Sequence, residues 1–229
     1  MEQIKVPTRA RKIAFASYND YRGYLSDKNF TYLGSGAFGI CLRSPIEGMV
    51  VKVGFMYDAD AKEAGQKYDG YFEWIKSVVQ AQNEGKHSVG MPTVYGLNLY
   101  KAENGDVFYV AYLEELKEFN SRKDENKDDL RKTYQLFKSL VNEIDAQYRN
   151  RGVFEPSEKW LEKMTAQHYL DWTDMKIEHV EAALEYLETA KHLVKVRRSG
   201  KSQKNATYDM HNGNVMLRGD QLVITDPIC

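Results

Sequence analysis

Three glycines, a lysine, an asparagine and two aspartates in this chain have the types and the spacing for phosphoryl transfer. Gly34, Gly36 and Gly39 punctuate the stretch YLGSGAFGICL between apolar residues. Without a Cβ, such residues let backbone N–H groups approach phosphates closely, with Ser35 among them and Phe38 at the tip to shield the phosphates from water. The same string also fits a dinucleotide-binding turn or a plain turn between strands. Lys52 interrupts the valine run VVKVG. An ammonium among Val50, Val51 and Val53 is costly to bury without an anionic partner. A pair of nucleotide phosphates is one such partner; a helix glutamate is another, with Glu73 the first candidate and Glu63 the second. Asp209 and Asn214 bracket a loop in YDMHNGNVML, and Asp226 follows in VITDP. Phosphoryl transfer needs a base or nucleophile positioner and oxygen ligands for Mg²⁺, which an aspartate, an asparagine and a second aspartate supply. Taken singly, each is an ordinary turn or edge-strand residue. Their joint order points to a nucleotide phosphotransfer site.

The elements that must position these residues are legible in outline. A short helix is predicted over Arg11 to Leu25. Phe30 to Gly34 and Ile40 to Arg43 read as strands around the glycines. Ser44 to Gly48 is turn chemistry, and the valine-rich Met49 to Phe55 is a third strand. Tyr71, Ile75, Val78 and Val79 form the apolar stripe of a helix over Ala59 to Gln82. Strands follow from Met91 to Leu99 and from Val107 to Leu113, joined by an Asn104-Gly105 hairpin signal. From Leu116 onward helical patterning dominates, over Asp128 to Tyr148 and Pro156 to Val196. Arg197 to Asn205 reads as a basic loop, and Asn214 to Leu217 with Leu222 to Thr225 as a closing hairpin. The chain is thus a β-rich half, a helical half and a terminal hairpin.

Composition narrows the classes. With 229 residues, 42% of them hydrophobic, there is chain enough for a sizeable core. A formal net charge of -1 argues against a dedicated nucleic-acid binder, so nucleic acid is not an expected partner. No apolar run reaches the roughly 18 residues of a membrane span, and the N-terminus lacks a signal-peptide core. Cys41 and Cys229 give neither a disulfide framework nor zinc spacing. A soluble protein of the cytoplasm with reduced thiols is expected.

The stretches GSGAFG, VVKVG, DMHNGN and ITDP resemble, in motif order, the protein-kinase-like fold. Within it, YLGSGAFG…VVKVGF, GMPTVYGL and YDMHNGNVM…ITDP are most similar to the early serine/threonine protein kinases of T-seven-like podophages. The resemblance implies an α+β, two-lobed fold. Residues 1–116 would be an N-lobe of β-sheet plus one helix, and residues 117–229 a minimal helical C-lobe. It implies that Gly34, Gly36 and Gly39 form the phosphate loop and that Cys41 packs on adenine. Lys52 would pair the α- and β-phosphates. Asp209 would be the catalytic aspartate, with Asn214 and Asp226 as Mg²⁺ ligands. Leu113 to Lys117 would be the hinge, where the backbone, at Glu114 and Leu116, reads the adenine edge. ATP and Mg²⁺ are the implied cofactors and host proteins the implied substrates, in the host cytoplasm.

Departures from the pattern open alternatives. Thr207-Tyr208 replaces the usual His-Arg before the catalytic aspartate, and Pro227-Ile228 replaces Phe-Gly after Asp226. With only three residues beyond Asp226, no activation segment or lower helices are expected, and so no activating phosphorylation. His211, a candidate catalytic residue, stands where many protein kinases place lysine and resembles the aminoglycoside and choline kinases. A small-molecule kinase is therefore the second reading, and a kinase-like module that inhibits a host protein by contact the third.

The remaining features are weaker. SGKS at Ser199 to Ser202 lacks the first glycine and the leading strand of a P-loop. The basic run Lys195, Arg197, Arg198, Lys201 and Lys204 reads as a solvated loop, with docking of an acidic substrate the functional alternative. Ser199 and Ser202 within it are candidate autophosphorylation positions. His87, His168, His179 and His192 form no metal spacing. Trp74, Trp160 and Trp172 are assigned to the core.

Overall fold

A computed structural model of the chain describes residues 3–36, 39–57, 70–119, 128–151, 154–199 and 207–228. Its elements are β1 (Arg11–Lys12), α1 (Tyr18–Asp27), β2 (Thr31–Gly36), β3 (Gly39–Arg43), β4 (Met49–Tyr57), α2 (Gly70–Asn83), β5 (Val94–Lys101), β6 (Val107–Glu114) and β7 (Lys117–Glu118). There follow α3 (Asp128–Arg151), α4 (Glu158–Thr165), α5 (Gln167–Thr173), α6 (Ile177–Leu184), α7 (Leu187–Ser199), β8 (Val215–Arg218) and β9 (Gln221–Ile224). The architecture is mixed α+β. A six-stranded sheet runs β1-β5-β6-β4-β3-β2, and a three-stranded sheet runs β7-β8-β9.

Alternation along the central strands sorts the core onto two faces. Val51 and Val53 of β4 pack with Ile40, Leu42, Phe108 and Val110 beneath α1. Val50, Tyr109, Ala111 and Leu113 point the other way, into a larger core shared with α2, α3, α6, α7 and the β8-β9 hairpin. Lys52 stands between Val51 and Val53 and therefore belongs to this second face.

Helix α1 is shorter than the predicted span because Ser17 caps it, its hydroxyl accepting from the Asp20 amide at 3.1 Å. Arg11 and Lys12 instead pair in parallel with Tyr100 and Lys101 at the sheet edge. Tyr18, Tyr21 and Leu25 bury the helix against the sheet. The hairpin at Asn104-Gly105 forms as expected: Gly105 takes φ of 100°, a left-handed value that a side chain resists. Only Gly70–Asn83 of the helix expected from Ala59 is described; residues 58–69, with Glu63, lie outside the described residues, as do Phe38, Lys201, Ser202, Lys204 and Cys229.

Two expectations fail in the helical half. Trp172 is 91% exposed. Leu170 is the buried residue of the short helix α5, and Trp172 lies two positions on, about 200° around the axis and so facing away. Arg197 and Arg198 are not loop residues either, since α7 continues through them to Ser199. Both side chains fold back onto Asp145 of α3 rather than into solvent. No helix among the described residues is long and apolar enough to cross a membrane.

Candidate active site

The lysine of the valine strand and the last motif of the chain converge on one point. Lys52 Nζ lies 2.5 Å from Oδ2 of Asp226, which is 174 residues away in sequence. The two side chains are 20% and 33% exposed, so the pair sits in a recess rather than on open surface. The second partner of Lys52 is aromatic: its ammonium is 3.5 Å from the centroid of the Tyr71 ring. The carboxylate on Lys52 is thus that of Asp226 rather than Glu73. Tyr71 turns inward from α2 to face the sheet, and Glu73, two residues on, is carried around the helix, where its carboxylate lies 3.4 Å from Lys76. Tyr71 was not singled out from the sequence for this role, although its place on the apolar stripe of α2 marks it as facing the sheet.

Cross-strand register sets the floor of the recess. Cys41 lies opposite Lys52 in β3, and Ala111 opposite Lys52 in β6. Opposed residues share a face, so a small thiol and a methyl group flank the lysine. Burial pushes the Cys41 thiol up from its ordinary value, against the pull of the Lys52 ammonium, and the thiol keeps its proton.

The three glycines divide by environment. A Cβ on Gly39 would sit 2.4 Å from the Val53 carbonyl oxygen, so the close pairing of β3 with β4 demands glycine there. A Cβ on Gly34 or Gly36 would meet nothing within 4 Å. Neither carries a left-handed φ. The packing of the fold does not explain these two glycines, which lie on the exposed edge strand β2. Ser35 between them accepts from the Tyr32 hydroxyl at 2.9 Å.

A knot of main-chain hydrogen bonds holds Asp209, Asn214 and Asp226 together. The Asp209 amide donates to the Pro227 carbonyl at 2.8 Å, and the Asn214 carbonyl accepts from the Thr225 amide at 2.9 Å. Asn214 Nδ2 donates to the Asp209 carbonyl at 2.7 Å. That bond uses the amide nitrogen and leaves Oδ1 as an acceptor. His211 begins the short 3-10 turn Asn212–Asn214, accepting at Nδ1 from the Gly213 amide at 2.9 Å. A side chain at Gly213 would strike the imidazole, at 2.8 Å from its Cε1. Nε2 of His211 then faces Asp209 Oδ1 at 3.7 Å.

Asn214 Oδ1 and the Asp226 carboxylate are hard oxygen donors suited to Mg²⁺, which takes one or two protein ligands and fills its shell from phosphate and water. Among the described residues no group of three or more His, Cys, Asp or Glu side chains is gathered for a metal.

The stretch expected to contact a base has its side chains and main chain divided. The Glu114 carboxylate is taken by the Arg218 guanidinium, whose Nε lies 2.9 Å from Oε2, and by the Thr93 amide at 2.7 Å. Burial alone would raise the Glu114 carboxyl, but these donors outweigh it and lower it. The Glu114 and Glu115 amides are bound by the carbonyls of Thr93 and Gly48 at 3.1 and 2.8 Å. Leu116 lies between β6 and β7, and its amide has no main-chain acceptor among the described residues. The side chain of Glu114 therefore clamps this stretch to β8.

No curated protein matches the chain. The sequence model of a family described as Bacteriophage T7 protein kinase 0.7 matches residues 11–229, and so takes in the glycine stretch, Lys52, the Asp209 loop and Asp226 alike. By a match that runs over nearly its whole length, this chain belongs to the bacteriophage T7 protein kinase family.

Proposed function

We propose that the chain transfers the γ-phosphoryl group of ATP, with Mg²⁺, to serine or threonine hydroxyls of host proteins. The observation that carries this reading is the meeting of Lys52 with Asp226 at 2.5 Å. It joins a cationic strand residue to the knot that holds Asp209 and Asn214. In this reading residues 1–116 and 117–229 act as two lobes about the stretch Leu113 to Lys117.

The residues divide the work as follows. Gly34 and Gly36 let main-chain N–H groups close on the phosphates. Lys52 has three donors, so it holds the α- and β-phosphates while keeping Asp226. Cys41 and Ala111 pack on the base, and the Leu116 amide donates to its edge. Asp209 accepts the proton of the acceptor hydroxyl as that oxygen bonds to the γ-phosphorus. The bond from phosphorus to the bridging β–γ oxygen breaks, and ADP leaves with the electron pair. Mg²⁺ on Asn214 and Asp226 supplies neutralisation of phosphate charge. His211, beside Asp209, keeps a small-molecule acceptor as the second reading.

Incubating the protein with γ-labelled ATP and host lysate tests the proposal. Labelled protein bands whose label is on serine or threonine are expected. Label in small molecules alone would favour the second reading, and no label at all would favour a module acting by contact.

The glycines give a sharper test. Gly36→Ala is expected to leave thermal stability unchanged or slightly raised, because the new methyl meets open space. It should raise KM for ATP roughly tenfold through lost main-chain hydrogen bonds to phosphate. Gly39→Ala is expected to cost the fold about 1–3 kcal/mol, because its methyl group would strike β4. Melting curves and initial rates for both variants check the contrast; equal KM in Gly36→Ala and wild type would remove Gly36 from the phosphate site.

A further inference from the structure

The residue before Asp209 is held by a charge cluster that the transfer chemistry does not use. The Tyr208 hydroxyl donates to Asp145 Oδ1 at 2.8 Å. Asp145 belongs to α3, and its side chain is only 6% exposed. It also accepts from Arg149 at 3.0 Å, from Arg197 at 3.1 Å, and from Arg198 at 2.8 and 2.5 Å. The Arg197 guanidinium carbon lies 4.5 Å from the centroid of the Tyr208 ring. Burial on its own would raise the Asp145 carboxyl, but hydrogen bonds from Arg198, Tyr208 and Arg149 and the charge of Arg197 hold it well below the usual carboxylate range. Burial, with the Asp145 carboxylate beside it, pushes the Tyr208 phenol above its ordinary value, so it stays a donor.

The main chain of Tyr208 is tied in the opposite direction. It forms an antiparallel bridge with Ile228, and the next amide, of Asp209, bonds to Pro227. One residue thus links α3 and α7, through its side chain, to the two paired segments that carry Asp209 and Asp226. Three arginines already neutralise Asp145 without the phenol. The hydroxyl is therefore dispensable for burying that carboxylate, and what it adds is a fixed position for the loop.

We propose that Tyr208 is a positioning residue, which anchors the Asp209–Asn214 loop to helices α3 and α7 through the Asp145 cluster and so sets the catalytic aspartate without any added phosphate group. The proposal rests on the phosphotransfer reading given above. It predicts a split that a purely structural tyrosine would not produce. Tyr208→Phe keeps the ring on Arg197 and loses only the hydroxyl. Its kcat should fall about tenfold, the scale of one hydrogen bond to a charged group, while KM for ATP and KM for protein substrate stay at wild-type values and the melting temperature falls by no more than the few degrees that one lost hydrogen bond costs. Amide hydrogen exchange in residues 209–214, read by mass spectrometry, should be faster in the variant. Unchanged kcat in an active protein would overturn the proposal. So would unchanged exchange, which is measurable without turnover. Absence of phosphotransfer in the wild type would instead strike the phosphotransfer reading, leaving the exchange measurement to judge the tether.

Discussion

Asp209→Asn is expected to lower the rate of phosphotransfer by about 10²–10⁴-fold, the usual worth of a positioned general base, with the fold intact. The main chain of Asp209 is fully committed, its amide to Pro227 and its carbonyl to Asn214 Nδ2. The carboxylate is not: it is 38% exposed, and His211 lies 3.7 Å away. An asparagine of the same shape leaves both main-chain bonds in place and removes only the proton acceptor. ATP binding should be retained, because the carboxylate makes no demand on the nucleotide side of the site. Initial rates set beside a melting curve and nucleotide titration check this. A variant that turns over like wild type would take Asp209 out of the chemistry.

Lys52→Met and Asp226→Asn are expected to fail together. Lys52→Met should cost about 10²–10³-fold in kcat/KM, the scale of removing one preorganised charge from developing transition-state charge. In stability it should cost about 1 kcal/mol or less, since the pair is only partly buried and salt bridges of that kind contribute little. Asp226→Asn should show a fall of similar size, and half-maximal rate should need more Mg²⁺. The two side chains act as one unit at 2.5 Å. The double variant should therefore be no worse than the more damaged single variant, well short of the product of the two effects. Rates measured across a magnesium series for all four proteins test this; strict multiplicativity would show that the contact between them has no part in turnover.

Local interactions made part of this protein legible from its sequence alone. Valine in β4, the stripe of α2 and the Asn104-Gly105 turn are set by strand propensity, helix period and turn conformation, each read within a few residues. The interruption of a valine run by Lys52 carried the expectation of an anionic partner, because an ammonium in such a run is costly without one. The order of glycines, lysine, aspartate, asparagine and aspartate points to phosphate chemistry without reference to any contact.

Contacts between distant segments were beyond that reach. Glu73 was the first carboxylate expected on Lys52, yet α2 turns Tyr71 toward the ammonium and the carboxylate that reaches it is that of Asp226. Arg197 and Arg198 look like a solvated basic loop until α3 delivers the buried carboxylate of Asp145 to them. The Glu114 side chain meets the Arg218 guanidinium, 104 residues away in sequence, a pairing that no local pattern announces. Trp172 carries a core composition on a helix whose buried side is set by Leu170. Ion pairing and burial depend on which groups meet in space, and for pairs separated by tens to hundreds of residues that meeting is a property of the folded chain.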